Sequence, residues 1–577
     1  MSDVEKHFPQ EEKLVAAEHL ERVSSGGEGD GHVKLPSRMF TPAEEKKLYR
    51  KVDLRIMPIL SLLYLLSFMD RGNIGNARLE GLEKDLKLTS QQYNTALSCF
   101  FVTYCLCEVP ANLIMKKFRR PSRWLGLCTV CWSIVMTLMG TVNSFGGLVA
   151  TRLFLGITEC GLFPGVILYI SIWYPRHVNS LHELSGVEPT SLTRLLTFSH
   201  LSQTRVALFF GAATLAGAFS GLLAYGISRL GYPSDAPLPV HGVSSPFLLF
   251  FFLQTTQTDP NTYSGVGGYN GWRWIFILEG LATFIVGVSA FFLISDFPAD
   301  CKWLTDEERE WLIYRKATDS SSVGEAEHVA KNHVWQALTD WQTYVVSSPS
   351  LRSPSRRLWL TLPPSPRARP LYAISLISPT LINSFGKYTR AESQLMTLPV
   401  YIAACIFVLV TSLLADRQKK RFVYMMLDLV LCAVGLIINL TPAPTGVKYF
   451  GLILTACGAY GGLPTSVTWL TNNLSGQTKR ATGSAFQIGI GNLGALASTN
   501  AYRTKDKPRY IMGHSIMLAF TAIGLVAAPL YAFLLERENK KKLAYQALPD
   551  GHPDKKVWTA EEIREAGDRA PEFMYTI

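Results

Sequence analysis

Charged residues are scarce. They make up 18% of the 577 residues, against about 25% in ordinary soluble domains. Their absence is concentrated in five runs: Trp124 to Thr151, Val206 to Ser228, Ser393 to Ala415, Tyr449 to Thr478 and Ala481 to Tyr502 contain none. A helix needs about 20 such residues to cross roughly 30 Å of hydrocarbon, and a soluble protein would have to bury every run on all sides. The chain therefore reads as a polytopic membrane protein. Other absences exclude other classes. Nine of the ten cysteines lie in apolar runs, which leaves no disulfide framework. Cys105/Cys107 and Cys128/Cys131 lack histidine or carboxylate company, so neither metal nor cofactor is expected. No phosphate loop or nucleophile–base spacing occurs, so the chain does not read as an enzyme. Residues 1–35 lack an apolar segment, so no cleavable signal peptide is expected. The net charge of +11 could suggest nucleic acid, but Lys and Arg fall in short clusters between apolar runs, which is a topology signal.

Twelve candidate spans follow: 54–70, 91–115, 124–144, 148–174, 205–228, 272–295, a doubtful seventh near 371–385, then 395–415, 422–440, 449–470, 481–501 and 511–535. Basic clusters at Lys116, Lys117, Arg119, Arg120 and Arg123, at Arg417 to Arg421, at Lys479 and Arg480, and at Lys540 to Lys542 fall on one side if both termini are cytoplasmic. Arg503, Lys505, Lys507 and Arg509 are the exception. The expected division is a tail over 1–50, a six-helix half over 51–296, a cytoplasmic linker over 297–345, a second half over 346–540 and a tail over 541–577. Thr41 with Glu44, and Thr305 with Glu308, have the capping-box spacing that opens a helix. Residues 1–40 and 545–577 are expected to be weakly ordered. Two six-helix halves with a site between them are a transporter architecture.

Ionisable residues inside spans cost about 2.5–3.5 kcal/mol each on insertion scales, so each is a functional candidate. Asp70 and Arg71 sit late in span one. Arg152 and Glu159, seven residues apart in span four, share one helix face about 10 Å apart along the axis. Arginine suits a carboxylate ligand, and a partly buried acid can exchange protons. Together they are minimal equipment for carrying an organic anion with protons. They could equally be structural ion pairs at the membrane edge. Glu108, Glu279 and Asp428 have no visible partner and read as structural.

The stretches Met69-Asp70-Arg71-Gly72-Asn73-Ile74-Gly75-Asn76-Ala77, Glu108-Val109-Pro110-Ala111-Asn112 and Arg123-Trp124 resemble the major facilitator superfamily, and more narrowly its fungal allantoate permease group of anion:cation symporters. Gly156 to Gly165, Gly271-Trp272-Arg273-Trp274-Ile275-Phe276, and Asn492 with Tyr502-Arg503 support the resemblance. It implies an all-α, twelve-helix fold in two halves. It also implies proton symport of a nicotinate- or allantoate-like carboxylate, with Arg71 and Arg152 holding the anion and Asp70 and Glu159 handling protons. A monomer in the plasma membrane is the expected form. The alternatives are a non-transporting nutrient sensor and an inactive product.

Two departures stand out. Loop two–three, Met115 to Arg120, lacks the family's usual aspartate, whereas Asp416-Arg417 is kept in loop eight–nine. Residues 178–204, 229–264 and 345–369 interrupt the pattern, the last with five arginines. They read as translated introns or a faulty gene model, with genuine loop insertions the alternative for the first two, and the third leaves span seven short of an intact crossing.

Overall fold

The structure is a computed structural model. It describes residues 36–118, 120–174, 202–228, 270–317, 342, 368–418, 420–475, 477–503, 506–549, 552, 555, 556, 558, 562 and 566–577. Segments 229–264 and 178–201 lie outside these residues, as does 345–367.

The long helices are α1 (Pro42–Leu79), α2 (Ser90–Lys117), α3 (Pro121–Met139), α4 in two pieces (Phe145–Glu159 and Leu162–Trp173), α5 (Ser202–Ser228) and α6 (Gly271–Leu293). They continue with α7 (Ala368–Ser384), α8 (Thr397–Gln418), α9 (Arg421–Leu440), α10 (Thr445–Asn473), α11 (Gln477–Ala501) and α12 (Ile511–Gln546). Eight are long and apolar enough to cross a membrane; Ala207–Leu223 in α5 and Leu371–Ser384 in α7 are shorter apolar stretches. The twelve-helix reading therefore holds. Helix α7 does form, from Ala368 over 17 residues, but its apolar part, Leu371–Ser384, is as short as the sequence suggests and below the usual length of a crossing.

Helix α1 starts where the capping box places it. The Thr41 side chain accepts from the Glu44 amide and Glu44 reaches back to the cap. At 38 residues α1 is about 57 Å long, so it projects well beyond the hydrocarbon. The second capping box opens the linker helix, Asp306–Ala317, through Thr305 and Glu308. That helix docks on the start of α1 through Lys51–Glu308 at 2.7 Å, Arg315–Glu45 at 3.4 Å and a stack of Phe40 on Trp311.

Within the first half, α3 packs on α6, α2 on α4 and α1 on α6; within the second, α9 packs on α10 and α12, and α8 on α10. The halves meet along α2–α11, α5–α8 and α1–α7. Small residues allow the close crossings. A Cβ on Gly75 would lie 2.8 Å from the Leu376 carbonyl of α7, and one on Gly221 would lie 2.8 Å from the Gln394 carbonyl ahead of α8. Gly221 of α5 thus serves close packing against the second half.

Asp296, just after α6, accepts from the Ser122 amide in the first turn of α3 at 2.9 Å. The expectation of weakly ordered tails is corrected where residues are described. The Ser37 amide donates to Glu310. Residues 566–577 are held against α10, α11 and α12: Asp568 meets Lys479 at 2.7 Å with both side chains buried, Trp469 Nε1 donates to the Thr576 carbonyl, and the Tyr575 amide donates to Asn539.

Candidate functional site

Asp70, Arg71, Arg152 and Glu159 are all buried, none more than 4% exposed. The structure brings them together at the centre of the first half, though not in the pairs the sequence suggests. Adjacent residues on a helix point about 100° apart, and α1 uses this. Asp70 turns into its own half, where its Oδ2 accepts from Trp132 Nε1 of α3 at 3.1 Å and Thr283 Oγ1 of α6 at 3.3 Å. Arg71 turns toward α4 and the opposite half. Its Nη2 meets Glu159 Oε1 at 2.6 Å, and Ser67 Oγ donates to the same oxygen. Neither Asp70–Arg71 nor Arg152–Glu159 is an ion pair in the structure.

Arg71 also links the halves. Its Nη1 donates to Tyr372 OH of α7 at 3.1 Å, and that hydroxyl donates to Asn492 Oδ1 of α11. The guanidinium lies 4.9–5.2 Å from the ring centroids of Phe68, Phe100 and Tyr104. Such contacts stabilise a dehydrated cation by up to about 2 kcal/mol. Arg71 Nε has no hydrogen-bond partner.

Arg152 is the less satisfied cation. It is 1% exposed, its Nε and Nη2 have no hydrogen-bond partner, and its electrostatic neighbours are Tyr93, Glu159, Asp70 and Arg71. A buried charge left short of hydrogen bonds costs several kcal/mol, so the arrangement suits a ligand that brings acceptor oxygens. Glu159 Oε2 and Asp70 Oδ1 are likewise without a partner. Glu108, Glu279 and Asp428 are buried, and none of their carboxylate oxygens is hydrogen-bonded. Glu108 lies against α11, where a Cβ on Gly489 would be 3.1 Å from its Oε2.

A narrow cavity beside Arg71 is lined by Tyr64, Phe68, Tyr104, Phe163, Tyr372, Gln487 and Asn492, among others. It therefore combines aromatic walls from the first half with polar groups from the second. Sequence reasoning missed Tyr372, Gln487 and Trp132 as site residues. Uncharged side chains raise no insertion penalty large enough to stand out, although Gln487 and Asn492 are polar residues within a charge-free span. The Trp272-Arg273 stretch has a different place: Trp272 Nε1 donates to Asp85 at 2.9 Å and Arg273 to Asn143 at 2.8 Å, tying the start of α6 to the ends of α1 and α3.

Comparison with known proteins gives a consistent picture. The sequence profile of the Major Facilitator Superfamily matches residues 60–181 and 262–499. The break between them overlaps two of the three irregular segments. The chain is 30% identical over 552 residues to the MFS-type transporter cnsO of Penicillium expansum, covering 93% of this chain and 92% of that one. It is 29% identical to the high-affinity nicotinic acid transporter of Saccharomyces cerevisiae, covering 92% and 85%. Among solved structures it resembles the xylose transporter XylE from E. coli (TM-score 0.51, 13% identity, 82% of this chain and 96% of that one). It also resembles a bacterial homologue of the human lysosomal transporter Spinster (TM-score 0.50, 17% identity, 83% and 96%). At these identities the likeness is one of fold.

Proposed function

The chain belongs to the major facilitator superfamily, and on that premise we propose that it carries a small organic anion together with protons by alternating access. It is a multi-pass membrane transporter and not an enzyme. The observation that carries the proposal is Arg71, a buried guanidinium with a donor nitrogen left over beside an aromatic cavity at the meeting of the halves, with a second under-satisfied buried guanidinium, Arg152, in the same half.

The coupling follows from the Arg71–Glu159 pair. A substrate carboxylate reaching Arg71 competes with Glu159 for the same donors. A carboxylate displaced from its ion-pair partner in a low-dielectric interior is costly, and taking up a proton removes that cost. Anion binding and proton binding thus become linked, which is the requirement for symport. Arg152, on the same helix face as Glu159, supplies the second cationic anchor, and Asp70 is the second proton-handling acid behind it. The two halves then rock about this site.

Nicotinate is the first substrate to test, because a relative across nearly the whole chain is named for it and an aromatic-lined cavity suits a flat ring. An allantoate-like acid is the next. We place the protein in the plasma membrane as a monomer, with both termini and the 297–345 linker cytoplasmic. The test is uptake of labelled nicotinate and allantoate into proteoliposomes under an imposed inward proton gradient. Accumulation of either that collapses with the gradient supports the reading. No accumulation of either, with purified protein correctly inserted, overturns it for these substrates.

A further inference from the structure

The hydrogen bonds around α11 leave two particular atoms facing the cavity. Gln487 Nε2 donates to the Ser466 carbonyl at 3.3 Å. A carbonyl can only accept, so the amide orientation is settled and Oε1 is the free end; it has no partner. Asn492 is oriented by the chain from Arg71. Tyr372 OH accepts from the guanidinium and so donates onward to Asn492 Oδ1, which leaves Nδ2 without a partner. The Glu108 side chain interacts with that of Asn492, but no hydrogen bond of normal geometry satisfies Asn492 Nδ2 or either Glu108 oxygen. Both amides are buried, at 5% and 3% exposure, and both line the cavity that Arg71 lines from the other side.

A buried amide with half its hydrogen-bonding capacity unused costs about 1–3 kcal/mol. In a cavity it is the usual device for recognising a polar group. We propose that Asn492 and Gln487 are specificity-determining residues: with the substrate's carboxylate on the arginines, Asn492 Nδ2 donates to an acceptor, and Gln487 Oε1 accepts from a donor, at the substrate's other end. The preferred substrates are thus carboxylates carrying a second, neutral polar group, and plain aromatic acids are disfavoured because they leave these amides unpaired. This rests on the anion-binding reading of Arg71 and extends it across the interface between halves.

The test uses three flat carboxylates of similar size: benzoate, nicotinate, which adds a ring acceptor, and 4-aminobenzoate, which adds a donor. Their binding to the purified full-length protein is measured by ligand-induced thermal stabilisation. Wild type should bind nicotinate or 4-aminobenzoate at least about tenfold more tightly than benzoate, since a site built for hydrogen bonds rejects analogues lacking them. Asn492→Leu should erase the nicotinate advantage over benzoate, and Gln487→Met the 4-aminobenzoate advantage, each read as the ratio of affinities within the same variant. Equal binding of all three acids to wild type, or variants that keep the discrimination, overturns the proposal. Arg71→Gln separates the two layers. If it abolishes binding of acids that wild type does not distinguish, the anion site stands and the specificity pair fails. If wild type binds none of the three, or Arg71→Gln binds them normally, the anion reading fails and the proposal with it.

Discussion

Arg71 of α1 and Glu159 of α4 form a buried ion pair at 2.6 Å, and the same guanidinium hydrogen-bonds Tyr372 of α7 in the opposite half. One side chain thereby senses a titratable acid, a neighbouring half and the cavity between them.

Arg152 presents a planar fork with unused donors. Arg152→Lys keeps the charge but loses the bidentate geometry, and uptake should fall roughly tenfold or more with surface delivery unchanged. Labelled uptake normalised to surface protein is the measurement. Normal uptake would assign Arg152 to packing.

Tyr372→Phe removes only the hydroxyl between Arg71 and Asn492. Each of the two hydrogen bonds lost, from Arg71 and to Asn492, is worth about 0.5–1.5 kcal/mol net, so transport should fall about fivefold or more while the protein folds normally. An unchanged rate would mean that the link between halves does not contribute to the cycle.

The tail residue Asp568 is buried against Lys479. Breaking a buried pair by removing one partner costs about 3–5 kcal/mol, so Asp568→Asn should lower the melting temperature by several degrees. Glu536→Gln, which loosens the exposed Lys540 pair, should leave it within a degree or so, since exposed pairs are worth about 0–1 kcal/mol. Equal melting of the two variants would show the tail to be a bystander.

The linker helix carries a pH dependence. Burial would raise the Glu308 carboxyl, but the hydrogen bond from Lys51, the Thr305 cap and the Lys51 charge outweigh it, and the group sits below its ordinary value of 4.5. A lowered folded-state value means that the contribution is complete above about pH 5 and is lost as pH falls through the folded value. The pair is partly exposed, so it is worth under about 1 kcal/mol. The protection of the amides of residues 306–317, taken relative to their intrinsic exchange rate at each pH, should fall below about pH 4, and Lys51→Met should flatten that dependence. A pH profile indifferent to Lys51 would contradict the assignment.

Much of this was legible in the sequence, for an identifiable physical reason. Ionisable residues are so costly in apolar spans that Asp70, Arg71, Arg152 and Glu159 stand out without any structure. Likewise, the Thr41 and Thr305 caps are local patterns with local consequences. Their partners were not legible. Whether Arg71 meets Asp70 or Glu159 depends on how α1 crosses α4, and nothing in residue spacing along one helix determines that. Tyr372 was hidden because it lies two residues beyond the arginine- and proline-rich stretch that made α7 doubtful. The ordered end of the chain was hidden because its anchors, Trp469, Asn473 and Lys479, lie about a hundred residues away.

The central claim is that Glu159 couples protons to the anion held by Arg71, and Glu159→Gln tests it most directly. Gln keeps an oxygen for Arg71 and Ser67 but cannot release a proton. In proteoliposomes loaded with nicotinate, the variant should exchange internal for external substrate at a rate within a few-fold of wild type. It should also fail to concentrate substrate on an inward proton gradient. Gradient-driven accumulation equal to wild type would contradict the account.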